Sequence, residues 1–117
     1  MSLSSEHFRY LKERGTNPER LATRYCSSGS DLRILYCDPT GQPYLDQKGD
    51  TYVVRRLFPS GKPKFVAPSA SGSRPYFSSL MPDGYLEDIT IPLVLIEGPV
   101  KVDSCYEHVP TGYCFVG

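Results

Sequence analysis

The most apolar run of the sequence reads PLVLIEGPVK over residues 92–101, and it decides the predicted fold. The aliphatic residues 93–96 are too few to span a membrane and are typical of a buried central strand. Glu97 ends this strand, Gly98 permits a tight turn, and Pro99 suits the first position of a helix. The run therefore predicts a strand, a turn and the start of a helix.

Two interpretations of Glu97 follow from its place in this run. Ligand sites in open α/β sheets form beyond the carboxyl ends of the strands, so a carboxylate at that point is a candidate for chemistry. The same carboxylate could instead cap the following helix, whose N-terminal dipole favours negative charge. The residues by themselves leave both interpretations open.

Length and composition limit the class of protein. The chain has 117 residues, a formal net charge of zero and 39% hydrophobic residues, which fits one domain or part of a larger one. Any affinity for nucleic acid must come from a local patch, because the whole chain is not a polycation. No apolar run is long enough for a transmembrane helix, and the N-terminus lacks the features of a signal peptide. The sequence therefore predicts a cytoplasmic protein.

The cysteines lie at positions 26, 37, 105 and 114, and none forms a C-x-x-C pair. Zinc ligands usually occur in such closely spaced pairs, so the spacing disfavours a metal site. We expect reduced and mostly buried thiols instead.

The N-terminal third predicts a helical hairpin. Residues 6–14 show helical spacing, and a second helix is expected to begin at residues 16–19 and to end near Cys26. Residues 27–30 are small and polar and predict a loop. We expect this hairpin to be a packing element.

The middle of the chain predicts an antiparallel β-meander. Its strands are expected at residues 32–37, 51–58 and 64–67, since these are rich in β-branched and aromatic residues. Asp-Pro-Thr-Gly at residues 38–41 predicts a turn, and residues 42–50 predict a flexible polar loop.

The C-terminal part predicts a short parallel βαβ unit. Residues 100–108 are expected to form a helix that turns Val102, Cys105 and Tyr106 inward, and residues 113–116 form a second apolar strand. The predicted fold class is thus α+β: a helical hairpin, an antiparallel meander, and the βαβ start of a parallel sheet.

Residues 51–76 form a basic strip, because they contain cations and no Asp or Glu. Aromatic residues alternate with these cations, and single-stranded nucleic acid needs cations for phosphates and flat rings for base stacking. The alternative is a solvated sheet face with a few core aromatics. The candidate binding residues are Arg55, Arg56, Lys62, Lys64, Arg74 and Tyr76. If all the cations contact single-stranded DNA, log K should fall with log salt at a slope no steeper than about −3.5.

Several short motifs follow one another along the chain. They are YLKERG at 10–15, ERL at 19–21 with Tyr25, DPTGQP at 38–43, YVVRR at 52–56, GKPKF at 61–65, RPYF at 74–77 and LVLIEGPVK at 93–101. This order resembles the primase core of bacterial and phage DNA primases, where a basic α+β subdomain precedes a Toprim domain. It is most similar to an uncharacterised domain found beside Toprim and helicase modules in large proteins of plasmids, phages and other mobile elements.

The resemblance implies an organisation and a set of site residues. Residues 1–30 would be a helical segment, 31–91 a basic primase-core-like subdomain, and 92–117 a partial Toprim-like βαβ unit. Glu97 would correspond to the Toprim glutamate, which acts in acid/base chemistry, and Lys101 is a weaker catalytic candidate.

A complete Toprim site holds Mg²⁺ through this glutamate and a later Asp-x-Asp strand, and metal-assisted phosphoryl chemistry needs more than one carboxylate. No Asp-x-Asp motif follows Glu97 here, and Asp103 in the predicted helix is no substitute. We therefore expect Glu97 to bind Mg²⁺ only if other carboxylates complete the site, and we expect no cofactor in this chain by itself.

The resemblance implies the nucleic-acid-binding portion of a primase- or Toprim-type replication protein from a mobile element, inactive alone but related to a nucleotidyltransferase. A non-catalytic protein-interaction module with the same fold is the alternative, and a third hypothesis is a nucleotidyl-transfer enzyme completed by carboxylates of a partner chain. Expected partners are single-stranded DNA or RNA, and either a second copy or downstream Toprim and helicase segments that pair with open strand edges. No membrane partner is expected.

Overall fold

The computed structural model describes residues 3–58 and 65–117. The described residues form α-helices, one short 3-10 helix and strands in two sheets, which confirms the predicted α+β class. In chain order the elements are α1 (Ser5–Glu13), the 3-10 helix (Pro18–Leu21), β1 (Tyr25–Ser28), β2 (Asp31–Leu35), β3 (Val53–Arg56), β4 (Phe65–Val66), β5 (Leu93–Leu95), α2 (Pro99–His108) and β6 (Cys114–Val116).

The first sheet is an antiparallel meander in the order β1-β2-β3-β4, as predicted for its last three strands. Alternation along β2 explains its register: Leu32 and Ile34 are buried while Arg33 between them is exposed. Ile34 lies opposite Tyr25 on one side and Val54 on the other. These buried side chains place one face of the sheet against the core.

The predicted second helix is wrong beyond its first turn. The 3-10 helix ends at Leu21, and the chain then enters β1, where Tyr25 and Cys26 pair with β2. The residues predicted as a loop, 27–30, instead extend this strand and form its hairpin turn at Gly29, whose φ is +58°. Pairing with β2 outweighs the local helical preference, because cross-strand contacts and burial dominate short segments.

The loop between β2 and β3 contains two turns, each stabilised by an aspartate carboxylate that accepts hydrogen bonds from backbone amides. Asp38 accepts hydrogen bonds from the backbone amides of Thr40 and Gln42, and the Gly41 amide bonds the Asp38 carbonyl, which confirms the predicted turn. Asp46 accepts from the amides of residues 48 and 50 in the same way. Residues 42–50 therefore follow a defined path rather than an open loop.

The second sheet pairs β5 and β6 in parallel, with α2 as the crossover between them, which confirms the predicted βαβ unit. Gly98, with φ at +93°, precedes Pro99 at the first position of α2, as expected. The prediction that residues 93–96 form a buried central strand is wrong: Leu93 is 59% and Leu95 76% exposed. In the described part of the chain β5 has a neighbour on one side alone, and β6 is the buried strand.

One hydrophobic core connects the whole described chain. Its members come from each of the three sequence ranges proposed as domains, for example Leu21, Ile34 and Tyr106. The amide of Tyr76 bonds the Gly117 carbonyl at 2.9 Å and the Gly117 amide bonds the Tyr76 carbonyl at 3.0 Å, so the middle range pairs with the end of β6. The division into domains stays a prediction, and the three ranges share this core.

Two contacts join the N-terminal helices to α2. Arg20 Nη1 lies 3.1 Å from both carboxylate oxygens of Glu107. At the end of α1, Gly15 adopts a φ of +84° and approaches α2 so closely that a Cβ would lie 2.7 Å from His108 Nε2 and 2.9 Å from Ser104 Oγ. No helix among residues 3–58 and 65–117 combines the length and apolar content that crossing a bilayer requires.

Gly15→Ala is expected to lower the free energy of unfolding by about 1–2 kcal/mol, because a side chain at positive φ is strained. The side-chain ends of His108 and Ser104 can move aside, so their displacement should add only a little to this cost. Gly49→Ala is the matched control, since Gly49 has a φ of +88° with no atom within 4 Å of the added Cβ. Urea denaturation should show a loss of about this size for both variants, slightly larger for Gly15→Ala, and a clearly smaller loss for Gly15→Ala would contradict the close approach of Gly15 to α2.

Candidate functional site

A cleft of about 920 Å³ opens between α1, the β3–β4 edge and the junction of β5 with α2. It brings together three predicted site residues, Arg56, Glu97 and Lys101, from two distant parts of the sequence. Its lining consists of Tyr10, Arg14, Arg56, Phe65, Ile96, Glu97, Gly98, Val100, Lys101, Ser104 and Cys105.

At one wall of the cleft, the guanidinium groups of Arg14 and Arg56 lie close to aromatic rings. The guanidinium of Arg56 lies 5.4 Å from the Tyr10 ring centroid, 4.8 Å from that of Phe58 and 5.5 Å from that of Phe65. Arg56 is only 4% exposed, and its Nη1 donates a 2.6 Å hydrogen bond to the Leu57 carbonyl. These contacts fix the guanidinium within the aromatic wall. Arg14 lies over Tyr10 at 5.2 Å and remains exposed.

The opposite wall is the start of α2. Glu97 and Lys101 are both exposed there, on either side of the turn at Gly98. The first turn of α2 contains no acidic side chain, and Gly98 offers no side chain to cap the free amides. With Arg14 and Arg56 opposite, the described residues that line the cleft include three cations and one carboxylate.

Arg55 and Arg74, the other described cations of the predicted basic strip, lie outside the cleft. Arg55 projects from the opposite face of β3 and pairs with Asp31 at 3.1 Å, in a separate groove beside Arg33. Arg74 is exposed, lies 5.7 Å from the Tyr52 ring centroid and donates to the Ser73 carbonyl. Lys62 and Lys64 lie outside the described residues. The described cations of the strip therefore do not form a single surface.

Tyr76 lies in the core rather than on a surface. Its side chain is 1% exposed, and its hydroxyl donates a 2.7 Å hydrogen bond to Asp103 Oδ2. A ring in this position is not presented for stacking on a base.

Asp103 is the centre of a buried polar cluster that the motifs did not reveal. It is fully buried, and it accepts hydrogen bonds from the hydroxyls of Tyr25 at 2.6 Å, Tyr76 at 2.7 Å and Ser78 at 2.5 Å. Burial raises the pKa of Asp103, while the three hydroxyl bonds and nearby Arg24 act in the opposite direction. The cluster ties α2 to β1 and to residues 76–78, away from the cleft.

The raised pKa of Asp103 predicts a pH dependence of stability. A carboxyl whose pKa is higher in the folded state stabilises the fold fully below its unfolded value of about 4, and this contribution is lost as pH rises through the folded pKa. The free energy of unfolding of the native chain should therefore rise relative to Asp103→Asn as pH falls from neutral toward about 4. Urea titrations of both proteins across this range measure the difference, and a constant or reversed difference would contradict it.

His7 and the cysteines have structural surroundings. His7 is buried, with Nδ1 at 2.5 Å from Ser27 Oγ and Nε2 at 2.9 Å from the Ser30 carbonyl, so it joins α1 to the β1–β2 hairpin. All the cysteines are free, and burial raises the pKa of the Cys105 thiol in the cleft, which keeps it protonated.

The residues present do not fit a magnesium site. Within the described ranges no group of three or more His, Cys, Asp or Glu side chains could hold a metal. Among the described residues that line the cleft, Glu97 is the single carboxylate and is accompanied by three cations, whereas Mg²⁺ prefers several oxygen ligands. A metal-dependent step therefore has no support in this geometry.

No protein-family model matches the chain, and no curated protein or solved structure matches it either. The link to primase- and Toprim-type proteins thus rests on the order of the sequence motifs.

Proposed function

We propose that the chain binds single-stranded nucleic acid in the cleft between α1 and α2. The observation that supports this most strongly is the convergence of Arg14, Arg56 and Lys101 with the rings of Tyr10 and Phe65. Cations contact phosphates, and the half-buried rings of Tyr10 and Phe65 offer aromatic surface to bases that a duplex would keep covered. Proteins bind small ligands in clefts of about 300–1,000 Å³, so this one suits a short stretch of a strand.

The proposal places this binding in a replication protein of the primase or Toprim type. Its support is the order of the motifs, from residues 10–15 to residues 93–101, which follows that of the resembling family. A nucleic-acid partner agrees with the cytoplasmic location expected from the sequence. Both DNA and RNA offer the phosphates and bases that the cleft requires.

Catalysis by this chain alone is not part of the proposal. In the described part of the chain Glu97 lines the cleft without a second carboxylate, so these residues do not balance the charge of a bound metal. Its carboxylate can accept hydrogen bonds from base amino groups, and it repels phosphates toward Arg14 and Lys101. Glu97 would then orient the strand within the cleft.

A second candidate function is a protein-interaction module. The observation that favours it is the exposed apolar side chains on β5, at Leu93 and Leu95. Exposed apolar strand edges are typical of surfaces that pair with another chain. This surface lies outside the aromatic wall of the cleft, so both functions can coexist.

The double variant Arg14→Ala with Lys101→Ala should weaken binding to a fluorescent oligothymidylate about tenfold or more at low salt. The two exposed cleft cations, Arg14 and Lys101, predict a slope of log K against log salt of about −1.4, and the double variant should bring the slope close to zero. Fluorescence anisotropy over a range of salt measures both quantities.

Arg55→Ala is the matched control, because Arg55 is an exposed cation that lies outside the cleft. It should leave the affinity and the slope nearly unchanged. Absence of binding at low salt, or an equal loss in Arg55→Ala, would contradict the assignment of the cleft.

A further inference from the structure

We infer that the cleft between α1 and α2 selects guanine among the bases of a single strand, and that Glu97 is the residue that selects it. This inference rests on the proposed function, since it names the base that the nucleic-acid cleft prefers. Three features of the cleft support it: the state of the Glu97 carboxylate, the backbone that holds it, and the cations and rings around it.

The carboxylate of Glu97 is available to a ligand. No hydrogen bond or ion pair among residues 3–58 and 65–117 involves it, and the side chain is exposed where it lines the cleft. The alternative role of a helix cap does not apply, because the N-cap of α2 is Gly98 and no side chain caps that helix. The carboxylate therefore neither caps α2 nor pairs with a described cation.

The backbone at Glu97 is held from both sides. The Ile96 amide donates to the Val116 carbonyl at 2.8 Å, which extends the parallel ladder to the residue before Glu97. The Val102 amide donates to the Gly98 carbonyl at 3.3 Å, so α2 begins directly after it. A side chain carried between a strand end and a helix start is positioned more precisely than one on a loop.

The charge of Glu97 opposes the binding of phosphates. Arg14 and Lys101 are exposed in the same cleft and attract a strand, whereas a carboxylate among them repels it. Such a group lowers the affinity for a strand unless a base donates hydrogen bonds to it. Glu97 therefore favours bases that present donors and disfavours bases that present acceptors.

Guanine is the base whose donors fit a carboxylate best. Its N1–H and its 2-amino group lie side by side on the Watson–Crick edge, so the two carboxylate oxygens accept at the same time. Adenine and cytosine place a ring-nitrogen acceptor beside their amino group, and thymine and uracil place a carbonyl oxygen on each side of N3–H. With these bases one carboxylate oxygen meets a lone pair instead of a donor.

Guanine also suits the cations and rings of the cleft. Its O6 and N7 form a pair of acceptors on another edge, and Arg and Lys are the side chains that most commonly bind this pair. Arg14 and Lys101 line the cleft together with Glu97. The half-buried rings of Tyr10 and Phe65 lie in the same cleft and offer aromatic surface to the base. One guanine thus uses the carboxylate, a cation and a ring together.

Fluorescence anisotropy with two short labelled oligonucleotides of equal length tests the inference, in lithium buffer at low salt to prevent guanine quadruplexes. One is oligothymidylate, and the other alternates thymine with guanine. The native chain should bind the guanine-containing strand about tenfold more tightly. Hypoxanthine in place of guanine should remove most of this preference, because it lacks the 2-amino group and with it one of the two donors.

Glu97→Gln is the matched protein variant, since Glu97 is exposed and its replacement keeps the size of the side chain. It should lose the preference for guanine and bind oligothymidylate more tightly than the native chain does, because the repelling charge is gone. Glu87→Gln, at an exposed position outside the lining of the cleft, should keep the native preference.

Equal affinity of the native chain for the two strands would overturn the inference and leave the proposed function standing. A guanine preference that persists in Glu97→Gln would overturn it as well, since another group would then select the base. If the native chain binds neither strand, the proposed function fails and the inference fails with it.

Discussion

Asp103→Ala is expected to lower the free energy of unfolding by about 3 kcal/mol, the largest effect of any single substitution considered for this chain. The hydroxyls of Tyr25, Tyr76 and Ser78 all donate to this carboxylate in the core. Alanine removes the shared acceptor and leaves buried hydroxyls without it, in addition to a small cavity. Because the free energy of unfolding of a domain is about 5–15 kcal/mol, this substitution would remove a large part of it.

Urea denaturation followed by circular dichroism measures this loss. Asp83→Ala serves as control, because Asp83 is exposed and should change stability little. Tyr25→Phe and Tyr76→Phe each remove one donor and keep the acceptor, so each should cost less than Asp103→Ala. A loss below about 1 kcal/mol for Asp103→Ala would contradict a satisfied buried cluster.

Arg56→Ala should lower the free energy of unfolding by about 2 kcal/mol, because the side chain packs among three aromatic rings in the wall of the cleft. The substitution removes the guanidinium that lies within 5.5 Å of the ring centroids of Tyr10, Phe58 and Phe65, together with its aliphatic stem. The same variant should bind oligothymidylate more weakly, since the cleft loses a cation.

The neighbouring Arg55 provides a control with the same side chain on the other face of β3. Arg55 is exposed and pairs with Asp31 near the surface, so Arg55→Ala should cost at most about 1 kcal/mol. Thermal and urea denaturation of the two variants side by side tests the difference. Equal losses for Arg55→Ala and Arg56→Ala would contradict the burial of Arg56.

Much of the fold could be predicted from local patterns. The turn at Asp38, the meander that contains it and the βαβ unit around Pro99 follow from residue types and periodicity, and the structure confirms them. The strand at Tyr25–Ser28 could not be predicted this way, because its serines carry no strand preference and its pairing with β2 decides its conformation.

The exposure of β5 shows a second limit of prediction from sequence. Apolar residues 93–96 are typical of a buried strand, but hydrophobicity does not say how many neighbours a strand has. In the described chain β6 covers one edge of β5, which leaves Leu93 and Leu95 open.

The candidate site was predictable only in part. Glu97 follows from its position after an apolar strand and Lys101 from the resemblance of residues 93–101 to a Toprim motif. Tyr10 and Arg14 join them through the packing of α1 near α2, which no local pattern shows. The basic strip grouped Arg55 with Arg56, but side chains alternate along β3, so Arg55 is exposed on one face and Arg56 is buried on the other. Asp103 lies next to Val102 on the inward face of α2, and that position was the available signal for its burial.

The most direct test of the central claim is a map of amide chemical shifts when oligothymidylate is added at low salt. The cleft predicts perturbations at Tyr10, Arg14 and residues 96–101, with smaller changes around Arg33 and Arg55. The absence of perturbations, or perturbations confined to the groove beside Arg33 and Arg55, would contradict nucleic-acid binding in the cleft.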